Sequence, residues 1–344
     1  MNNYYQPPNF NNPYSHNYNE TAMKNAYYIE KAALERKQIR HLGNLFGFAM
    51  TAYVILNIIV SLIVSVPKIY ELYTNSALFQ TCFGILAIDL IGLVAVFGIM
   101  AYINRKKYTE PLIPSDKLSF KDHFLWISFG MLGCIAANYV VSFMVYILQL
   151  AGLDPKSPDV PEPDSFITSI AIAIGTAIMP AICEEFAMRC CGIGMLKKYG
   201  KAFAVVSISI VFGLMHANLI QFVFATAVGL ILGYVTVKTN SIIPAVFIHM
   251  FNNGISVITS IAEYVLKTES ANSIMFWYAL WLVLGGVSAI VMLLKGYFKN
   301  KEPRAVYEPY QNSLAKKVSS FFFVPGMIIP FLFFVSMIIS STLQ

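Results

Sequence analysis

Nine stretches of the sequence are apolar enough, and long enough or nearly so, to cross a lipid bilayer. A membrane-spanning helix needs about 20 mostly apolar residues. The stretches cover approximately residues 46–66, 82–103, 124–148, 166–189, 202–218, 221–237, 242–262, 274–294 and 321–341. The fifth and sixth are short and little more than ANLI separates them, so they form two spans or one tight hairpin. We therefore expect an all-α, polytopic integral membrane bundle of eight or nine transmembrane helices.

Composition and charge agree with this fold class. The chain is 57% hydrophobic and only 12% charged, with a mean hydropathy of +0.62, which is unusual for a soluble domain. Cytoplasmic loops carry an excess of Lys and Arg. If the chain has nine spans, all but three of the 24 basic residues fall on one side of the membrane. The three on the opposite side are Lys68, Lys156 and Lys267. The pattern predicts a cytoplasmic N-terminus, and the net charge of +6 then reports topology rather than a nucleic-acid partner.

The fourth apolar stretch ends in CEEFAMR, which places three charged residues where they are costly. Glu185 and Arg189 are four residues apart and share a helix face, so we expect an ion pair. Glu184 is turned by about 100° from Glu185 and is expected to point into the bundle. Pro180 cannot donate a backbone hydrogen bond to the carbonyl of Thr176, which predicts a kink beside Glu184.

Two histidines lie in later apolar stretches. FGLMH puts Phe212 four residues before His216, and HMFNN puts Asn253 four residues after His249. Each pair shares one helix face. With the unpaired carboxylate of Glu184, these side chains supply a base, a proton carrier and donors for an oxyanion, which are the parts that a hydrolase needs.

The motif series EExxxR, FxxxH and HxxxN resembles the CPBP family, which contains type II CAAX prenyl endopeptidases, bacteriocin-processing enzymes and Abi-type membrane proteins. The resemblance covers about residues 124–262. It implies an intramembrane endopeptidase that cuts a membrane-associated protein or peptide near a CAAX-type C-terminus or a leader. By the same resemblance, Glu184 activates water with His216 as its partner, and His249 and Asn253 stabilise the oxyanion. Supporting roles fall to Glu185, Arg189 and Phe212.

The metal requirement of such an enzyme stays open at the level of sequence. Glu184, His216 and His249 offer three zinc ligands and would leave one coordination position free. A glutamate mechanism without metal is the alternative. The sequence contains no HExxH, the usual zinc-protease helix motif. It also lacks the GxGD and GxSG signatures of other intramembrane proteases.

The chain divides into four parts in this interpretation. Residues 1–43 form a cytoplasmic disordered tail and a basic helix. The basic helix, residues 20–42, is expected either to lie on the membrane surface or to be an ordinary solvated helix. Residues 44–122 hold two spans and a cytoplasmic loop, 123–262 the CPBP-like catalytic core, and 263–344 the C-terminal spans. The polar, Asn- and Tyr-rich start without a signal peptide favours a bacterial plasma membrane.

Two other functions compete with proteolysis. A non-catalytic scaffold or regulator would keep the fold and bind a partner. A transporter would use Asp89, Glu184 and the histidines as a proton relay, but the sequence shows no internal repeat. Asp89 has no partner motif, and we expect a structural hydrogen-bonding role for it.

Small residues in the spans predict where helices approach each other closely. Gly229 and Gly233 lie four residues apart in the sixth stretch and form one small face. Gly285 and Gly286 are expected to serve in the same way in the eighth.

Overall fold

The computed structural model describes residues 17–105, 115–155, 163–266, 270–299 and 312–343. Within these ranges the chain is helical, and its only β-type pairing is an isolated bridge between Ser115 and Ser241. The α-helices are α1 (Asn17–Val64), α2 (Pro67–Asn75), α3 (Ala77–Gly84), α4 (Val96–Asn104), α5 (Phe120–Leu150), α6 (Phe166–Ala173), α7 (Met179–Glu185), α8 (Gly194–Leu196), α9 (Lys201–Leu214), α10 (Leu219–Thr239), α11 (Ile243–Leu266), α12 (Ser270–Leu294), α13 (Leu314–Phe322) and α14 (Pro325–Leu343). π-Helical turns cover Ile85–Ala95, Ile174–Ile178 and Phe186–Ile193.

The expected fold class is confirmed. Among the described residues, 7 helices are long and apolar enough to cross a membrane, and two shorter apolar helices cover Lys201–Leu214 and Ile243–Thr259. Together they correspond to the nine apolar stretches of the sequence. The chain is thus an integral membrane protein with a polytopic helical bundle. Helices α9 and α10 pack on each other as a hairpin joined by a short turn.

Contacts between the helix ends agree with alternating spans. On the side rich in Lys and Arg, the amide of Asp116 donates to the carbonyl of Asn240 at 2.9 Å. Lys317 donates to the carbonyl of Tyr199 at 2.6 Å on the same side. At the opposite side, the hydroxyl of Tyr264 donates to the carbonyl of Asp164 at 2.8 Å. We call these two sides the basic side and the far side.

The basic stretch 20–42 is part of a longer helix, and its place on the membrane surface stays a prediction. It continues without a break into the first apolar stretch as α1. Ile39 is fully buried, and the side chain of Asn312 donates to the carbonyl of Ala32 at 2.8 Å. The segment before α13 therefore gives α1 a packing partner, which charge patterning alone did not reveal. Of the predicted disordered tail, residues 1–16 lie outside the described residues, whereas residues 17–19 belong to the first turn of α1.

Helix α1 approaches α13 and α14 backbone to backbone. A Cβ atom added at Gly47 would lie 2.1 Å from the carbonyl oxygen of Gly326, and one added at Gly43 would lie 2.2 Å from that of Phe321. The two glycines are four residues apart and form the small face that close helix packing requires. The side chain of Asn44 secures the contact by accepting a 2.9 Å hydrogen bond from the amide of Gly326.

We expect Gly47→Ala to lower the free energy of unfolding by about 1–3 kcal/mol, because the added methyl group forces two backbones apart. Thermal unfolding of the purified protein in detergent measures this loss. Gly84→Ala is the matched control, since nothing lies within 4 Å of a Cβ at that position. An equal loss in both variants would contradict the close-packing explanation.

The other glycine predictions have mixed outcomes. Cβ atoms added at Gly229 and Gly233 would meet Ser209 and Val205 of α9, at 3.1 Å and 2.9 Å. The predicted close approach on α10 is therefore confirmed. Gly285 faces α5, where a Cβ would lie 2.6 Å from the carbonyl oxygen of Ser128. The prediction for Gly286 was wrong, because nothing lies within 4 Å of a Cβ atom added there. Gly286 is turned by about 100° around the helix from Gly285 and therefore does not face α5.

The interior consists of two buried clusters. The first joins α1, α4, α7 to α9, α13 and α14, and contains Phe46, Phe97 and Phe203. The second joins α5, α10, α11 and α12, and contains Trp126 and Ile248. Helices α7 and α11 pack against each other and connect the two clusters. The residues singled out by the motifs lie along this seam.

Candidate active site

The fourth span, one continuous helix over Phe166–Tyr199, changes its helical geometry where the sequence predicts a kink. α6 passes into the π-helical turn Ile174–Ile178, and α7 then begins with Pro180 in its first turn. A second π-helical turn, Phe186–Ile193, follows Glu185 directly. Irregular turns of this kind often occur at functional sites. Helix α7, which carries both glutamates, therefore has a π-helical turn on each side.

Asn253 compensates for the backbone bond that Pro180 removes. The carbonyl of Thr176 lacks the donor that residue 180 supplies in a regular α-helix. The Nδ2 group of Asn253 donates to this carbonyl at 3.1 Å. Asn253 thereby ties α11 to the start of α7. This contact joins residues 77 positions apart, and helical periodicity could not have predicted it.

We expect Asn253→Ala to cost about 1–3 kcal/mol of unfolding free energy, because it removes the side-chain donor to the Thr176 carbonyl. Pro180→Ala supplies a backbone donor, so the double variant should recover part of the loss in thermal unfolding. Asn57→Ala is the control: Asn57 donates to the Tyr53 carbonyl at 2.8 Å within its own helix. If Pro180→Ala gives no recovery, the proposed compensation is wrong.

Glu185 lies between a cation and a histidine. Its Oε2 atom pairs with Nε of Arg189 at 2.9 Å, and both side chains are fully buried. This is the ion pair that their spacing predicts. Its other oxygen, Oε1, accepts a hydrogen bond from Nδ1 of His249 at 3.1 Å. Glu185 therefore also orients the imidazole, which is a role that sequence reasoning missed.

Glu184 stands apart from that ion pair. Its carboxylate lies 3.7 Å from Nε2 of His249, and 19% of its side chain is exposed, against 0% for Glu185. The two glutamates therefore face the two nitrogens of one imidazole. Glu184 is accessible to a small molecule such as water, whereas Glu185 is not.

Phe212 contacts both histidines and the buried cation. Its ring centroid is 4.9 Å from that of His216 and 6.1 Å from that of His249. The guanidinium carbon of Arg189 lies 5.4 Å from the same centroid, within the range of a cation–π contact. Phe212 thus contacts both histidines and the ion pair from α9.

His216 lies in the turn after α9 rather than inside the fifth span, because α9 ends at Leu214. Its Nδ1 atom is 2.8 Å from the carbonyl oxygen of Phe212. Among the described residues, the contact of Glu184 is with His249, and no hydrogen bond or ion pair joins it to His216. The partnership of Glu184 and His216 therefore stays a prediction.

The proposed zinc ligands do not form a metal-binding group. In the part of the chain that the structure describes, no three His, Cys, Asp or Glu side chains are arranged to hold a metal ion. His249 directs Nδ1 to Glu185 and Nε2 towards Glu184, while the ring of His216 packs edge-to-face against Phe212. The residues present do not fit a zinc site made of Glu184, His216 and His249.

Asp89 is a neighbour of the site that the sequence analysis treated as structural. It is 7% exposed and lies in the π-helical stretch Ile85–Ala95, which packs against α7. Its carboxylate interacts electrostatically with Glu184 rather than through a hydrogen bond. The expected hydrogen-bonding role of Asp89 is thus not seen among the described residues. The sequence feature that could have indicated its place at the site is that it is an acid buried in a span.

Comparison with known proteins supports the motif-based resemblance. Residues 166–255 match the family model described as Rce1-like: type II CAAX prenyl endopeptidase Rce1-like. The matched stretch contains all three motifs and is narrower than residues 124–262. No curated protein and no solved structure matches the chain.

Proposed function

We propose that this protein is an intramembrane endopeptidase in which Glu184 activates the attacking water. One observation carries the proposal: Glu184 is accessible and unpaired with Arg189, and it lies 3.7 Å from a histidine whose other nitrogen is held by Glu185. A base beside an oriented imidazole is the arrangement that hydrolysis of an acyl group uses. The family match over residues 166–255 supports protease chemistry at this site.

In the proposed reaction, Glu184 takes a proton from a bound water molecule, and the resulting hydroxide attacks the peptide carbonyl carbon. The C–N bond then breaks as protonated Glu184 gives its proton to the leaving nitrogen. Glu184 thus ends the cycle in its starting form.

The developing oxyanion needs hydrogen-bond donors. When both ring nitrogens of His249 carry protons, Nδ1–H donates to Glu185 and Nε2–H remains for the oxyanion. Asn253 has one N–H group engaged with Thr176 and a second left for the same purpose. We assign oxyanion stabilisation to these two residues and leave proton exchange to Glu184, with His216 as the proposed further proton carrier.

The membrane setting and the family match support a membrane-associated peptide as the substrate. A protein or peptide held at the bilayer by a lipidated CAAX-type C-terminus or by a leader segment can bring its peptide bond to the seam between α7 and α11. Glu185, Arg189 and Phe212 support the site and do not touch the substrate in this proposal.

The test is cleavage by purified protein in liposomes. A lipidated CAAX-type peptide and a leader-type peptide are incubated with wild type and with Glu184→Gln, and the products are identified by mass spectrometry. We expect a single new terminus with the wild type only, and we expect cleavage to persist with a strong zinc chelator. Loss of cleavage with chelator would restore the zinc hypothesis. Failure of the folded wild type on both peptides would favour the scaffold function.

A further inference from the structure

A second polar space lies next to the site, and of its lining residues only Asn253 takes part in the proposed chemistry. It is a cavity of about 250 Å³ between α5, α10, α11 and α12. Half of its lining is polar: Asn138, Asn252, Asn253, Ser256, Thr259 and Tyr278. The remaining wall is apolar and includes Met131, Phe224 and Ile255. None of the described residues that line it carries a charge, so the cavity is polar but neutral.

The polar lining retains unused capacity to accept hydrogen bonds. Asn138 donates through Nδ2 to the hydroxyl of Tyr278, and Asn252 donates through Nδ2 to Oδ1 of Asn253 at 3.2 Å. Both of these bonds use the amide nitrogen, so the carbonyl oxygens of Asn138 and Asn252 are left as acceptors. A guest with a neutral N–H or O–H group can satisfy these oxygens.

A charged guest fits this lining poorly. The described lining residues offer no counter-ion, and a charge moved into such a site without a partner is strongly disfavoured. A purely apolar guest would leave the amide oxygens without donors, which also costs free energy. The lining therefore favours a neutral guest that has an apolar body and a hydrogen-bonding tip.

The size of the cavity indicates part of a larger molecule. Pockets for whole small molecules usually measure about 300–1,000 Å³, and this cavity is smaller. It suits one side chain of a bound peptide.

Helix α11 fixes the distance between the cavity and the reacting groups. His249 contacts Glu184 and Glu185, and Asn253, one turn later, lines the cavity. Four residues of α-helix rise by about 6 Å. An extended peptide covers that length in about two residues at roughly 3.3 Å each. A side chain about two residues from the cleaved bond therefore reaches the cavity.

We propose that this cavity is a specificity pocket that accepts an uncharged, hydrogen-bonding side chain, such as that of Gln, about two residues from the cleaved bond. The inference rests on the proposed protease function, since it assigns a substrate residue to the same site. It concerns the choice of peptide rather than the chemistry of cleavage.

The first test compares matched peptides that carry Gln, Leu or Lys at each of the two positions two residues from the cleaved bond. For the wild type we expect kcat/KM to be at least about 10-fold higher for Gln than for Lys at one of these positions. Asn252→Asp adds a carboxylate to the pocket and should reduce that ratio by about 10-fold. Asn75→Asp, at an exposed site, should leave the ratio unchanged. Equal ratios in wild type and Asn252→Asp would overturn the inference.

A binding test separates this inference from the proposed function. The Gln peptide carries a photoreactive diazirine on the same side chain and is irradiated with Glu184→Gln protein. Crosslinks to Met131 or Ile255 are the expected result. If these crosslinks form but the wild type does not cleave the peptide, the result supports the specificity pocket and contradicts the protease function. If the wild type cleaves the peptide but the crosslinks form only at other residues, the specificity-pocket inference is wrong and the protease function stands.

Discussion

Replacing Glu184 with glutamine is expected to lower kcat for peptide cleavage by about 10²–10⁴-fold, the usual contribution of a general base. Glutamine has the same shape but cannot accept the proton of water. The folded state should survive, because Glu184 is partly exposed and its one ion-pair contact is the 3.7 Å approach to His249. Activity and thermal unfolding, measured on the same preparation, separate the two effects.

Glu71→Gln is the matched control for this variant, because Glu71 is exposed on α2. It should keep both the activity and the unfolding temperature of the wild type. Full activity in Glu184→Gln would exclude Glu184 as the base and move the role to another acid, with the buried Asp89, which interacts electrostatically with Glu184, as the alternative.

Replacing Arg189 with methionine is expected to lower the free energy of unfolding by about 3–5 kcal/mol, the usual effect of breaking a buried ion pair. Arg189 and Glu185 are both fully buried. Without the guanidinium group, the carboxylate of Glu185 keeps only His249 as a partner. Thermal unfolding in detergent and the yield of folded protein from membranes both measure the loss.

The double variant Glu185→Leu/Arg189→Met removes both charges and should recover most of the folding stability. It should remain inactive, because His249 then loses the acceptor that holds its Nδ1 atom. Arg40→Met, at an exposed position of α1, should change stability by less than about 0.5 kcal/mol. If Arg189→Met has the unfolding free energy of the wild type, the buried carboxylate of Glu185 does not depend on the guanidinium group for its stability.

The parts of the site that lie on one helix were predictable. The spacing of Glu185 and Arg189 gives their ion pair, and the turn of the helix sets Glu184 apart from it. The contact of Glu185 with His249 was not predictable, because the residues are 64 positions apart. Periodicity defines the face on which a side chain lies, but tertiary packing decides which other helix meets that face.

The same distinction explains the fold. Apolar length predicts eight or nine transmembrane helices, because the bilayer sets the length of a span. It does not predict where α1 begins, because its polar first half is held by contacts with Asn312 and Lys317. The glycine pair Gly43 and Gly47 is visible in the sequence, but its partners on α13 and α14 come from the other end of the chain.

The seam between the two buried clusters has a consequence for how the membrane itself acts on the protein. Glu184 lies between Cys183 and Glu185 on the helix of the first cluster, whereas His249 follows Ile248 of the second. A bilayer whose thickness does not match the hydrophobic length of the helices makes them tilt. Unequal tilting of the two clusters changes the distance from Glu184 to His249. Cleavage should therefore be fastest at one acyl-chain length, and the surrounding lipid would regulate the reaction without any bound effector.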